Sequence, residues 1–208
     1  MKINIGFSSF FSNVQETPWY QEFLEPVVSL VSPYSNVLDI GTGTGKLLQL
    51  LVSGKSAVCT GIDVSSSMLI EAEKKLVGLP VKLILIKSGD ALPFQNNSFD
   101  VICICNVLFN LDFHGQVLLL DQALEKLNES GRIVILNPTG TGTIRELVRK
   151  VSKKNNLSFT MWNALTRRRA WNWNRQHIIK KYADKYELSY SNSIVLDGFG
   201  HMEIIKKE

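Results

Sequence analysis

The chain has 208 residues, of which 45% are hydrophobic and 20% charged, and its formal net charge is +4. This length supports one sizeable core and is short for two domains, so we expect a single α/β domain over residues 1–208. Three cysteines, an odd number, stand without a histidine cluster, which argues against a disulfide framework and against a metal site. No apolar run is long enough to span a bilayer and the first residues lack a secretory core, so we expect a cytoplasmic protein.

The first 36 residues are rich in aromatic side chains. From Trp19 to Val31 the apolar positions recur at helical spacing, which predicts a helix kinked at Pro26. Two interpretations remain open: the helix lines a ligand cleft, or it only completes the core. Tyr20 is the residue to test, because a buried hydroxyl needs a polar partner.

The run VLDIGTGTGKL at Val37–Leu47 predicts a buried strand, a glycine-rich turn and a helix. Glycines at 41, 43 and 45 permit positive φ and let a ligand approach the backbone, while the helix N-terminus favours a polar or anionic group. A dinucleotide fingerprint would place its third glycine one residue later. The next strand, 57–62, ends at Asp63, where a doubly wound sheet places a carboxylate for ribose hydroxyls.

The middle of the chain continues the alternation of helix and strand. We expect strands at 81–86, 100–105 and 132–136, and helices at 46–53, 68–76 and 116–127, with Gly131 as a turn. Met68 faces either the core or a ligand, and Asp90 is either a turn former or a ligand contact. His114 follows the strand that ends at Cys105 and is a weak candidate for a general base.

The last third of the chain is basic. Residues 143–181 hold 11 Lys or Arg and one acid, Glu146, with tryptophans between them. Helices are expected near 144–151 and at 174–186, followed by a hairpin of strands 189–196 and 201–206. The basic stretch is either a solvated surface or a contact for an anionic acceptor or partner, such as a carboxylate, a phosphate or an RNA backbone.

Five motifs in order carry a resemblance to a known family: DIGTGTG, GIDVSSSML, GDALPFQNNSFDVI, NVLFNL and GRIVILNP. The chain resembles the class I S-adenosylmethionine-dependent methyltransferases, in particular the small-molecule branch related to ubiquinone/menaquinone C-methyltransferases (methyltransferase type 11). The resemblance implies a doubly wound, mostly parallel seven-stranded sheet with an antiparallel C-terminal hairpin strand. It further implies a helical cap at 1–36, a cofactor-binding half at 37–138, a basic helical segment at 143–186 and the hairpin at 187–208.

The same resemblance implies the site residues, with S-adenosyl-L-methionine as cofactor. The implied cofactor-binding residues are Asp39, Gly41, Thr42, Gly43, Gly45, Asp63, Val64, Met68, Asp90, Ala91, Asn106 and Val107. Substrate contacts are expected from Trp19, Tyr20, Asn137, Trp162, Arg168 and Trp171. No catalytic residue is assigned, and the weak candidates are Tyr20, His114 and His177. NVLFNL lacks the Asn/Asp-Pro-Pro-aromatic run of enzymes that methylate exocyclic base amines.

The sequence therefore predicts a methyltransferase that acts on a small, anionic or neutral acceptor by in-line displacement. An RNA or protein methyltransferase that uses residues 143–181 is the alternative, although nucleic acid is not the favoured partner. A non-catalytic S-adenosylmethionine-binding partner protein is a third possibility. A nicotinamide dehydrogenase is disfavoured by the position of the third glycine.

Overall fold

The computed structural model describes residues 12–142 and 157–207. Seven strands form one sheet: β1 (Asn36–Ile40), β2 (Val58–Asp63), β3 (Val81–Leu85), β4 (Phe99–Cys105), β5 (Leu127–Pro138), β6 (Ser189–Val195) and β7 (Gly200–Lys206). The longer helices are α1 (Pro18–Leu30), α2 (Lys46–Lys55), α3 (Ser66–Lys75), α4 (Phe113–Lys126), α5 (Leu157–Gln176) and α6 (Ile178–Lys185). Short 3₁₀ turns occupy Leu108–Asn110 and Leu196–Gly198.

The strand order in the sheet is β3-β2-β1-β4-β5-β7-β6. The first five strands are mutually parallel, whereas β7 runs antiparallel to both β5 and β6. The predicted seven-stranded sheet with a C-terminal antiparallel hairpin is therefore confirmed. In such a sheet the order reverses between β1 and β4, and the crevice beyond their carboxyl ends is where ligands bind.

Two hydrophobic clusters cover the two faces of the sheet. One contains the buried side chains of α1, α2 and α3, and the other those of α4 and α6. Helix α5 contributes to both, because Phe159 and Trp162 belong to the first cluster while Ala170 and Trp173 belong to the second. This helix therefore crosses from one layer to the other.

Two predicted boundaries are wrong. Gly131 is not a turn after α4 but lies inside β5, which begins at Leu127 and is irregular where it meets β4. The Leu127 side chain folds over Gly131, where an added Cβ would lie only 2.8 Å from Leu127 Cδ1, so any side chain here would require Leu127 to shift. The predicted helix at 174–186 is two helices, since His177 adopts φ of 49° and separates α5 from α6.

The helix expected near 144–151 lies outside the described residues. Among the helices that the structure describes, none combines the length and the apolar character needed to cross a membrane.

Candidate functional site

The glycine turn after β1 is held against the end of β2. The N–H groups of Gly41 and Thr42 both donate to the Ile62 carbonyl, at 2.8 and 3.0 Å. Gly41 and Gly43 adopt φ of 74° and 57°, which L side chains rarely adopt. A Cβ on Gly41 would lie 2.3 Å from Cγ2 of Val107, so this turn leaves no room for a side chain.

Asp63, at the end of β2, is joined to the same turn. Its Oδ2 accepts a 2.8 Å hydrogen bond from the Gly43 N–H, and its Oδ1 accepts one of 2.8 Å from the Ser65 N–H. Burial raises the pKa of this carboxyl above its usual value, although these N–H groups act in the opposite direction. Each oxygen keeps a further lone pair, so Asp63 can accept additional hydrogen bonds from a ligand.

Asp39 lies beneath the turn, near the end of β1. It is only 2% exposed, and burial raises its pKa to about 7. Asp39 does not line the cavity described below. The structure therefore places Asp39 under the glycine backbone, outside the cavity wall.

A cavity of about 710 Å³ opens at the carboxyl ends of β1, β2 and β4. Ten of the residues predicted from the sequence lie in its wall: Tyr20, Gly41, Gly43, Asp63, Val64, Met68, Asp90, Asn106, Val107 and His114. These positions are spread over 95 residues of sequence, and the parallel sheet brings them to one place. Ala91 instead lines an adjoining groove that it shares with Val64 and Asp90.

Thr42 and Gly45 belong to the turn but do not face the cavity. The Thr42 side chain is directed at β2, within 3.0 Å of the position a Cβ would take on Gly61. Gly45 packs on α3, where its Cβ would lie 2.8 Å from Leu76 Cδ1. The third glycine thus permits close packing of helices, while the first two leave backbone open to a ligand.

Two predicted substrate contacts, Trp19 and Trp162, lie in the core instead. They are 0% and 3% exposed, and their ring centroids are 5.1 Å apart. The Trp19 Nε1–H donates to Ser158 Oγ at 3.1 Å, which satisfies its polar group inside the protein. Neither ring lines the cavity, because α5 folds over α1 and closes an aromatic cluster that also contains Phe23 and Phe159.

Four further candidates also lie away from the cavity. Asn137 is 1% exposed, and neither polar atom of its side chain finds a hydrogen-bond partner. Arg168 and Trp171 lie on the exposed side of α5, and His177 is an exposed break between helices. The structure gives these four residues no place in the cavity wall.

Tyr20 and Asn106 meet in the cavity wall. Asn106 follows β4 with φ of 61°, and its Nδ2 lies 3.4 Å from the Tyr20 hydroxyl. Burial raises the pKa of Tyr20, so its hydroxyl stays protonated at neutral pH. The Asn106 Oδ1 is buried without a hydrogen-bond partner, which leaves an acceptor available beside the glycine turn.

Sequence reasoning missed several residues of the cavity wall. Gln15 is buried, accepts a hydrogen bond from the Thr44 hydroxyl, and its Nε2 lies 3.1 Å from the position of a Gly43 Cβ. The next residue, Glu16, pairs with Lys46 at 3.0 Å and Lys75 at 2.7 Å. The three charged residues of this cluster lie far apart in the sequence, so their pairing was not recognised. The other missed residues include Lys87, Cys105, Leu111, Leu118, Leu119 and Gln122.

Comparison with known proteins agrees with this geometry. Residues 37–131 match the model of a methyltransferase domain. A demethylmenaquinone methyltransferase of Desulfitobacterium hafniense is 37% identical over 87 residues, which cover 39% of this chain and 34% of that protein. The matched segment thus spans about a third of this curated relative.

Solved structures resemble the chain over nearly its whole length. A protein of Methanococcus maripaludis, assigned as an S-adenosyl-L-methionine-dependent methyltransferase, has a TM-score of 0.76 at 18% identity, covering 100% of this chain and 94% of its own. The plantazolicin methyltransferase BpumL, in complex with S-adenosylhomocysteine and a desmethyl substrate analog, has a TM-score of 0.68 at 18% identity, covering 96% and 90%. At this identity the likeness shows the fold. Residues 37–131 thus match a methyltransferase domain, within a chain that has the class I methyltransferase fold.

Proposed function

We propose that this protein transfers the methyl group of S-adenosylmethionine to a small, largely apolar acceptor bound in the cavity. The observation that carries the proposal is the convergence of the glycine turn, Asp63 and the Tyr20–Asn106 pair on one cavity of about 710 Å³. This volume lies within the range of roughly 300–1,000 Å³ that small-molecule sites have.

The residues of the cavity suit the proposed cofactor. Gly41 and Gly43 present bare backbone, Asp63 retains lone pairs for a ribose diol, and Asn106 Oδ1 is an acceptor without a partner. Val64 and Met68 supply apolar surface for an adenine ring, and both lie in the cavity wall. When bound, S-adenosylmethionine supplies an electrophilic methyl group on a sulfonium sulfur.

The protein's own contribution is then to position the acceptor and to exclude water. Methyl transfer by in-line displacement needs close approach along one axis, and no metal or covalent residue is required for it. Leucine side chains of the 3₁₀ turn region and α4, at positions 111, 118 and 119, give the cavity an apolar wall. Such a wall favours an acceptor with an aromatic or alkyl body.

The charges in the cavity wall bear on the nature of the acceptor. Lys87 is the only Lys or Arg among the lining residues that the structure describes, whereas Arg168 lies outside. An acceptor with several negative charges therefore has few partners here. We propose a neutral or singly charged aromatic acceptor, for which the demethylmenaquinone in the name of the Desulfitobacterium hafniense relative is the first choice.

A hydroxyl or aromatic carbon acceptor must lose a proton during the reaction. Tyr20, protonated at neutral pH, acts as a hydrogen-bond donor rather than a base. His114 is the one histidine of the cavity wall and is exposed enough to exchange a proton with water. We propose His114 as the general base for such an acceptor.

The test is transfer of labelled methyl from S-adenosylmethionine to a water-soluble demethylated naphthohydroquinone, followed by chromatography. The proposal expects a methylated product, and a loss of roughly 100-fold or more in kcat for His114→Gln if that residue is the base. His177→Gln, which changes a histidine outside the cavity, is the matched control and should retain parent activity. Cofactor binding without turnover of any aromatic acceptor would contradict the proposal and favour a non-catalytic binding protein.

A further inference from the structure

Helix α5 presents an unusual exposed face. Its buried side, at Phe159, Trp162, Thr166, Ala170 and Trp173, faces the two core clusters. The opposite side carries large apolar side chains that remain in solvent: Leu157 is 72% exposed, Met161 42%, Leu165 54% and Trp171 44%. Leu157, Met161 and Leu165 are spaced by four residues, so they form a continuous stripe along one face of the helix.

Helix α5 and the first half of α6 carry a dense positive charge. Residues 157–183 contain six Lys or Arg and no Asp or Glu. All six are exposed, and they are Arg167, Arg168, Arg169, Arg175, Lys180 and Lys181. Among the described residues none of the four arginines has a carboxylate within ion-pair distance, whereas Lys180 pairs with Asp184 at 2.9 Å. Arg175 instead stacks on Trp171, with its guanidinium carbon 4.4 Å from the ring centroid.

This face lies beside the cavity. The Arg169 guanidinium carbon is 5.8 Å from the ring centroid of Phe109, in the 3₁₀ turn whose Asn110 lines the cavity. The backbone of α5 also abuts the loop after β5, since a Cβ on Gly140 would lie 2.3 Å from the Trp171 nitrogen. A surface bound to α5 would therefore sit next to the cavity.

We propose that the exposed face of α5 docks on an anionic lipid surface. Phosphate head groups match the exposed arginines, and the acyl boundary takes up Leu157, Met161 and Leu165, which a nucleic acid backbone would leave in water. Tryptophan and arginine side chains at the boundary between head groups and acyl chains each place an apolar body in lipid and a polar end at the head groups. The 20-residue helix lies in the plane of the interface and does not cross it.

The test is co-flotation of the full chain with vesicles of phosphatidylcholine alone and of phosphatidylcholine with phosphatidylglycerol, at low and high salt. One double variant, Arg168→Gln with Arg175→Gln, removes charge; a second, Met161→Gln with Leu165→Gln, keeps charge and removes apolar surface. Lys82→Gln with Lys206→Gln is the control, since both lysines are exposed and lie outside α5. Binding of a single-stranded RNA oligomer is measured for the same proteins.

We expect binding to the anionic vesicles that weakens with salt. The charge variant should weaken it about 30-fold, from about 1 kcal/mol for each basic side chain at the surface, and the apolar variant at least about 10-fold, while the control matches the parent. Absence of vesicle binding by the parent would overturn the proposal. So would unchanged vesicle binding by the apolar variant, or RNA binding that exceeds vesicle binding, because either result indicates a contact with phosphate alone.

Discussion

The Asp63 carboxylate and the Gly43 N–H, 20 residues apart in sequence, are joined by a hydrogen bond of 2.8 Å. The residue that ends β2 therefore fixes the turn that ends β1. This bond makes the two predicted halves of the cofactor site, the glycine backbone and the acid, a single unit. Any change that moves one half displaces the other.

Gly41→Ala should abolish cofactor binding. A residue with a side chain is strained at φ of 74°, by roughly 1–3 kcal/mol, and the new methyl would meet Val107 Cγ2 at 2.3 Å. Calorimetric titration with S-adenosylhomocysteine measures the affinity, for which we expect a loss of at least about 100-fold.

Gly45→Ala is the matched control for that substitution. It adds a methyl at φ of 79° against Leu76, outside the cavity. It should lower the melting temperature and reduce affinity much less than Gly41→Ala. Equal loss of affinity in the two variants would show that backbone strain in the turn, rather than a side chain in the cavity wall, governs binding.

Protonation of Glu203 should make stability depend on pH. Burial raises the pKa of Glu203 from 4.5 to about 7, so between these values the folded state holds a proton that the unfolded state has released. Glu203 should therefore lower the free energy of unfolding of the parent as pH rises through this window, by at most about 3 kcal/mol for this group. Asp39, with its pKa raised to about 7, contributes in the same direction.

The measurement is urea unfolding at several pH values for the parent, Glu203→Gln and the exposed control Glu187→Gln. The Gln side chain still accepts the hydrogen bond from the Tyr190 hydroxyl, which is 2.9 Å long in the parent. The Glu203 variant should gain stability relative to the parent as pH rises toward 7. A constant difference between the two proteins across this window would contradict the predicted protonation.

Glu16→Gln should weaken cofactor binding without unfolding the protein. The Glu16 carboxylate holds Lys46 and Lys75 and is adjacent to Gln15, which lines the cavity. Because Glu16 is half exposed, the pairs contribute little to overall stability. We expect a loss of affinity of about 3- to 10-fold and a melting temperature within a few degrees of the parent.

Glu71→Gln provides the comparison for Glu16. Glu71 pairs with Lys74 at 2.7 Å on α3 and does not line the cavity. Both variants remove one negative charge, so a general electrostatic effect would weaken binding equally in both. The account requires the larger effect in Glu16→Gln.

Features that depend on local sequence were predictable, whereas the arrangement of the strands in the sheet was implied by the resemblance to a family. Each strand of the parallel sheet is a short apolar run, and the glycine turn and Asp63 follow two of these runs directly. Helix α5 lies within the basic helical segment that the resemblance implied, but its bounds were not predicted from the residues, because both of its sides are rich in large apolar residues and its 3.6-residue pattern is weak. Helical spacing places Trp162 and Trp171 on opposite sides of the helix but does not indicate that Trp162 is the buried one.

The parts of the site that sequence missed depend on contacts between distant segments. Gln15 reaches Thr44 across 29 residues, and Trp19 of α1 meets Trp162 of α5 within one core cluster. Such pairs are fixed by how helices pack on the sheet, which a single sequence does not specify. Asn137 shows the same limit, since its place at the carboxyl end of β5 indicated a ligand contact while β7 and α5 bury it.

The most direct test of the account is calorimetric titration of the parent and Asp63→Asn with S-adenosylhomocysteine, with NAD as the control ligand. Asparagine keeps the shape of the side chain but replaces one carboxylate oxygen with a donor, which conflicts with the N–H of either Gly43 or Ser65. We predict micromolar binding of S-adenosylhomocysteine by the parent, at least about 10-fold weaker binding by the variant, and no binding of NAD. Absence of S-adenosylhomocysteine binding, or equal affinity in parent and variant, would contradict the assignment of the cofactor site.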